Sequence, residues 1–423
     1  MKGSNDGTGH AGRGQRSGLG VAEGQGRGRA APAKKTSDRP VAGGDDKIRN
    51  GGQRRRRTNG SGQPGKGRRT RYDGPLYAAL DLGTNNCRLL VARPSRRGFL
   101  VVDAFSRIIR LGEGVSQSGR LSDDAMRRTL EALAICSEKM LKRGVARSRL
   151  IATEACRIAC NGQVFLERVR HETGLSLEIV SRETEAKLAV SGCASLLDRS
   201  CDWALVFDIG GGSSELIWLD LSRMRKRGKR WLYDRIDAQD CIVAWTSLPV
   251  GVVTLAEQFG GRNVGTATFD EMVSHVLHYL REFETEYAIA RYTANARTHL
   301  LGTSGTVTTV AGIHLGLKRY DRRRVDGCWL RTNQVRRVSK RLAAMSYPER
   351  VAEPCIGAER ADMVLAGCAI LEALMRMWPS DRLRVADRGL REGILASLMA
   401  EDGVLRDGPV KTGRSPWSLR RDG

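Results

Sequence analysis

Three short segments of this 423-residue chain are built from residue types that hold phosphate: DLGTNN from Asp81, DIGGGSS from Asp208 and GTSGT from Gly302. Glycine lets an anion approach the main chain closely, and oriented N–H groups with small hydroxyl and amide side chains then hold it. This nominates Gly83, Thr84, Asn85, Asn86 and Arg88 around the first segment, and Gly210, Gly211, Gly212, Ser213 and Ser214 in the second. The third contributes Gly302, Thr303, Ser304, Gly305 and Thr306. Asp81, Asp208 and Glu215 stand beside these loops, where a bound polyanion would repel their carboxylates. A divalent cation, Mg2+ or Mn2+, resolves that conflict, because magnesium binds through one or two carboxylates together with substrate phosphates and water.

Such loops must be carried on strand ends. Leu76 to Ala92 reads as an apolar run, a turn at Asp81 to Asn86 and a second apolar run, and Trp203 to Leu219 repeats the form around Gly210 to Gly212. The repetition implies an internal duplication of one phosphate-gripping unit, hence two α/β lobes with a cleft between them. Residues 99 to 111 alternate as a further strand, and Leu121 to Arg143 has apolar residues at helical spacing behind Ser122 and Asp123. A strand at Leu150 to Thr153, another at Glu178 to Val180 and a helix from Thr184 to Leu197 complete the first lobe. The expected division is a Gly/Arg-rich tail over 1–74, lobe I over 75–198, lobe II over 199–402 with its last helices free to pack back on lobe I, and a flexible end over 403–423.

The tail has almost no large apolar side chain and is expected to be disordered. The net charge is +24, and the first 75 residues hold 18 Lys/Arg against 6 Asp/Glu, so tail and body carry +12 each. A basic body suits an anionic substrate, and a tail with Arg54, Arg55, Arg56 and Arg57 can attract RNA or another polyanion by charge alone. No apolar run is long enough for a membrane span and no signal-peptide core opens the chain, which points to the cytoplasm. The ten cysteines are scattered without a CxxC pair, as buried reduced thiols are.

The segments AALDLGTNNCRLLVA, IATEACRIACNG, SRETEAKLAVSG, LVFDIGGGSSELIWL, GTSGTVTTVAG and VADRGLREGIL together resemble, in order, the exopolyphosphatase and guanosine pentaphosphate phosphohydrolase family of the actin-like ATPase superfamily. The resemblance implies two actin-like, ribonuclease H-like lobes with an interlobe cleft, and hydrolysis of terminal phosphate from inorganic polyphosphate or guanosine pentaphosphate. It also implies that Glu185 stands at the glutamate that deprotonates the attacking water, that Arg157 grips substrate phosphate, and that the chain forms a homodimer. Where the family commonly reads Ser-Gly-x-Glu-Glu-Ala, this chain has Ser181, Arg182, Glu183, Thr184, Glu185 and Ala186, so Arg182 adds a cation near the cleft mouth. Glu183 and Glu185 are two apart at a helix start, so only one of them reaches the cleft. Two other readings compete with hydrolysis: an actin-like ATP-binding kinase, and an RNA- or polyphosphate-binding module with weak or no catalysis.

Overall fold

The computed structural model describes residues 74–95, 98–226, 238–295 and 297–404. Residues 1–73 of the Gly/Arg-rich tail, residues 96–97, 227–237 and 296, and residues 405–423 lie outside the described residues.

Two sheets carry the molecule. The first comprises β1 (Leu76–Leu82), β2 (Asn86–Ser95), β3 (Gly98–Ile108), β4 (Val145–Ala152) and β5 (Glu178–Ile179), in the order β3-β2-β1-β4-β5. The second comprises β6 (Trp203–Ile209), β7 (Ser214–Asp220), β8 (Ile242–Leu248), β9 (Thr298–Thr303), β10 (Trp329–Arg331) and β11 (Arg382–Ala386), in the order β10-β11-β9-β6-β7-β8. In each, an antiparallel meander joins a parallel pair: β1 runs antiparallel to β2 and parallel to β4, as β6 does to β7 and β9. Read from β8, the second sheet therefore repeats the first, with β10 added at its edge. Three-stranded meanders can be tightly turned, whereas parallel neighbours need helical crossovers, and this places helices on both faces of each sheet.

The helices that matter to the site are α1 (Asp123–Arg143), α2 (Glu154–Ile158), α3 (Gly162–Thr173), α4 (Arg182–Cys193), α5 (Val252–Phe259), α6 (Thr266–Tyr287), α7 (Gly305–His314), α8 (Val364–Met377) and α9 (Leu390–Glu401). Helix α1 starts where its cap residue places it: the Ser122 hydroxyl accepts from Ala125 N, two acidic residues occupy the first turn, and Gly144 closes the end at positive φ. Its apolar face, with Leu130, Leu133 and Cys136, joins Leu80, Leu89 and Val91 of the first sheet in one core.

Two helices cross between the lobes. Helix α9, the last of the described chain, lies on the first sheet, where Leu390, Ile394 and Leu398 join Tyr77, Ala79, Leu90 and Ile151. Helix α4 follows the first sheet in sequence, yet Ala186, Val190 and Cys193 pack with Val206 and Ile217 of the second. A division of the chain at residue 198 thus separates α4 from the sheet it covers. The pair touch through glycines: a Cβ on Gly192 would stand 1.8 Å from the Gly389 carbonyl oxygen, and one on Gly393 would stand 2.0 Å from that of Leu188.

Bonds across the cleft rim also join the lobes. Arg110, at φ 48, donates to Asp362 Oδ2 at 2.9 Å and to the Glu359 carbonyl, while Glu257 of α5 accepts from Gly114 N at 2.8 Å and from the Ser116 hydroxyl at 2.7 Å.

Candidate active site

The first two glycine segments close the same turn. Gly83 N donates to Asn86 O at 2.9 Å between β1 and β2, and Gly210 N donates to Ser213 O at 2.9 Å between β6 and β7. In register, Asp81 pairs with Arg88 and Asp208 with Glu215, so the duplicated frame presents a cation in one lobe where the other presents a carboxylate. The turns meet across the cleft. A Cβ on Gly211 would stand 2.9 Å from Thr84 Cβ, and one on Gly212 would stand 3.0 Å from Thr84 Oγ1, so only glycine admits the Thr84 side chain here.

The third segment behaves differently along its length. Gly302 is inside β9, where a Cβ would collide with the Phe207 ring at 2.6 Å; it is a packing glycine, and its nomination as a phosphate ligand is corrected by that placement. The part that lines the cavity begins at Ser304, which holds φ 120 and leads into α7. A non-glycine residue at that angle is strained, and strain of this kind is kept where surrounding structure over-determines it. The duplication makes the start of α2 at Thr153 and Glu154, after β4, the lobe I counterpart of this turn.

Asp81, Gly83, Thr84, Asn85, Asn86, Arg88, Glu185, Asp208, Gly210, Gly211, Gly212, Ser213, Glu215, Ser304, Gly305 and Thr306 all line one cavity of about 120 Å³. Ser214 does not, because its hydroxyl donates to Val250 O at 2.6 Å inside the core. Thr303 faces an adjoining chamber of about 730 Å³. Arg157 is set behind the wall: it donates through Nε and Nη2 to Glu154 Oε2 at 2.9 and 2.6 Å, through Nη1 to Val180 O at 2.6 Å, and through Nη2 to Glu185 Oε2 at 3.1 Å. An arginine so engaged orients a carboxylate, which differs from the direct grip on phosphate that the sequence suggested. Glu183 pairs outward with Lys187 at 2.7 Å, leaving Glu185 as the glutamate of this helix that reaches the cleft.

Several wall residues are not among those nominated from the sequence: Thr153, Glu154 and Thr309, which lie within the motif segments quoted above, line the cavity, as does Arg360, shared with Arg88 between cavity and chamber. Arg391 of α9 lines the chamber. Among the described residues the side chains of Arg88, Arg360 and Arg391 have no hydrogen-bonded partner. Burial, then the neighbouring charge of Arg88, lowers the pKa of Arg360, and burial lowers that of Arg391.

Asn85 Oδ1, Asn86 Oδ1 and Ser304 Oγ are buried without a partner, which in a native interior is costly unless something is bound. Besides Glu154, four carboxylates crowd the same space. Burial raises the pKa of Asp81 and of Asp208; it drives Glu215 up to about 7, with Asp208 adding to the effect. Glu185 is raised well above the ordinary range by burial and then by Glu215, against the pull of Arg157. Asp81, Asp208 and Glu215 line the cavity together, and oxygen donors of this kind fit a hard divalent cation held by one or two carboxylates and completed by phosphate and water.

Glu215 is raised in the fold, so its contribution is fully present below about pH 4.5 and is lost as pH rises through about 7. Glu215→Gln keeps an acceptor for the Ser213 and Ser247 hydroxyls and removes the charge. In chelator-containing buffer at pH 8 it is expected to stabilise the protein by on the order of 2 kcal/mol, with a gain that shrinks toward pH 6. Thermal unfolding of both proteins across that range measures it; an equal gain at both pH values would mean that Glu215 is not a strained buried charge.

Two sheets of one topology, facing each other across paired glycine turns at the ends of β1 and β6, define an actin-like α/β fold. Residues 90–402 match the Ppx/GppA phosphatase family, and the chain belongs to it. It is 27% identical over 328 residues to the guanosine-5'-triphosphate,3'-diphosphate pyrophosphatase of Aliivibrio fischeri strain MJ11, an alignment covering 77% of this chain and 60% of that protein. The chain thus spans about 60% of the length of this curated relative. Among solved structures, an Aquifex aeolicus Ppx/GppA family member matches with TM-score 0.61 and 27% identity over 78% of this chain and 98% of its own. An exopolyphosphatase from Cytophaga hutchinsonii, at 22% identity and TM-score 0.66 over 79% of this chain and all of its own, shares the fold.

Proposed function

We propose that this chain is a metal-dependent phosphoanhydride hydrolase that removes the terminal phosphate of inorganic polyphosphate or guanosine pentaphosphate. The observation that carries the reading is one cavity walled at once by both glycine turns, by the strained Ser304 and by a glutamate of raised pKa. Phosphoryl transfer asks a protein chiefly for positioning and for neutralisation of developing charge, and these walls offer both.

In this reading the terminal phosphate lies between the turns, held by their N–H groups, by the Asn85 and Asn86 side chains and by the Ser304 and Thr306 hydroxyls. Glu185, held by Arg157, accepts the proton of the attacking water. Asp81, Asp208 and Glu215 supply the carboxylates for magnesium or manganese, which when bound offsets phosphate charge and polarises its oxygens. Arg88 and Arg360 stand where the cavity opens into the larger chamber, and Arg391 lies beyond, so the phosphates that leave with the rest of the substrate would pass unpaired guanidinium groups. We place the protein in the cytoplasm; among the described residues no helix is long and apolar enough to cross a membrane. Contact with RNA or another polyanion through the basic tail, and a homodimer, belong to the same proposal.

The test is phosphate release by the purified protein with magnesium from long-chain polyphosphate, tripolyphosphate, guanosine pentaphosphate and ATP. Release from one of the first three, with ATP poor, supports the reading and selects the substrate. Release from none of them would leave a phosphate-binding module, and tight ATP binding without release from the others would favour a kinase.

A further inference from the structure

One buried carboxylate of the cavity wall has no part in the mechanism above. Glu154 opens α2, is 3% exposed, and lies with its Cγ 3.3 Å from where a Cβ on Gly212 would stand, beside the second glycine turn. An anionic substrate must pass there, and a bare carboxylate would oppose it. Two arginines hold this carboxylate. Arg157 takes Oε2 as described, and Arg182, three residues before Glu185 on the first turn of α4, donates through Nη2 to Oε1 at 2.7 Å and through Nε to Oε2 at 3.3 Å. Burial opposes ionisation of Glu154, but the two guanidinium groups prevail and lower its pKa, so it stays charged. The chain Arg182–Glu154–Arg157–Glu185 thus alternates in sign from the partly exposed cleft mouth to the buried glutamate.

We propose that Arg182 and Glu154 form a positioning pair: Glu154 aims Arg157 at Glu185, and Arg182 cancels the remaining charge of Glu154 so that the second glycine turn stays attractive to substrate phosphate. The proposal rests on the cleft being the substrate site. Arg182 never touches substrate in this scheme. It acts through Glu154, and its loss matters only while Glu154 carries a charge.

That conditional dependence is the test. Tripolyphosphate binding with magnesium is measured by calorimetry in a Glu185→Gln background, where turnover does not interfere. Arg182→Ala is expected to weaken binding about tenfold, Arg182→Lys to retain most of it, and Glu154→Gln with Arg182→Ala to recover it to within about threefold, because neighbouring charges in one network are non-additive. With Glu185 intact, Arg182→Ala should raise KM and spare kcat, whereas Glu154→Gln alone should lower kcat as Arg157 loses its anchor. Arg182→Ala binding within about twofold of its parent, or a double variant as weak as the single, would overturn the pair. If the unmutated protein releases no phosphate from any substrate, the hydrolase reading falls while the binding cycle still decides the pair. If the parent does not bind tripolyphosphate at all, both fall.

Discussion

Glu185→Gln is expected to lower phosphate release by about a hundredfold to ten-thousandfold, the usual worth of a positioned general base. The substitution keeps the shape of the side chain and leaves an oxygen to accept from Arg157 Nη2, so the wall of the cavity should be preserved. What is lost is the site that receives the proton of the attacking water. The raised pKa of Glu185 makes this base stronger than an exposed glutamate, and it requires that the rate climb with pH above the ordinary carboxylate range before levelling. Removing one of four crowded carboxylates should also raise the melting temperature of the metal-free protein, so a loss of activity cannot be ascribed to unfolding. Initial rates at saturating tripolyphosphate, taken beside a melting curve, decide the matter: a variant with the unmutated rate would mean that the base lies elsewhere.

Gly393→Ala should unsettle the same site from behind. The added carbon would be placed 2.0 Å from the backbone oxygen of Leu188, and neither backbone can turn aside as a flexible side chain could. Helices α4 and α9 must then separate, opening the layer that buries Leu188, Ile394 and Leu395. Overpacking of a core costs about 1–3 kcal/mol, and a contact between two backbones belongs at or beyond the upper end of that range. We expect a melting temperature lower by about 5 °C or more. The reciprocal contact at Gly192 makes Gly192→Ala at least as severe. Because α4 carries Glu185 and α9 carries Arg391, surviving activity should fall as well. A variant that melts with the unmutated protein would show that the helices are not held at this spacing.

Much of this arrangement could be read in the residues. Asp81 and Asp208 were legible because a strand that ends Asp, apolar, Gly repeats twice, and the antiparallel partner that follows each turn is apolar in its turn. Helix α1 was legible because Ser122 and the apolar spacing agree. The strand expected over 99–111 ends earlier, at Ile108, since Asn85 O accepts from Ile109 N and Arg110 N and draws the chain to the first turn. Gly302 misled because a glycine that makes room for Phe207 has the same letter as one that makes room for phosphate. Arg360 and Arg391 are invisible locally. The first lies in an irregular stretch that reaches the third turn only after folding, and the second is on a helix that belongs to the other end of the chain. The placement of α4 is likewise a property of the assembled lobes, since a helix buried on more than one side does not state in its own residues which sheet it will cover.

The placement of α9 also sets a timetable. The face of the first sheet that displays Tyr77, Ala79, Leu90 and Ile151 is among the earliest parts of the body to leave the ribosome, while the helix that covers it is among the last, and the Tyr77 hydroxyl finds its partner Asp402 only across 325 positions of sequence. At ordinary elongation rates that is a delay on the order of tens of seconds. Throughout that interval a half-built lobe exposes an apolar sheet face, so the nascent chain, rather than the finished protein, is the form most in need of protection from aggregation.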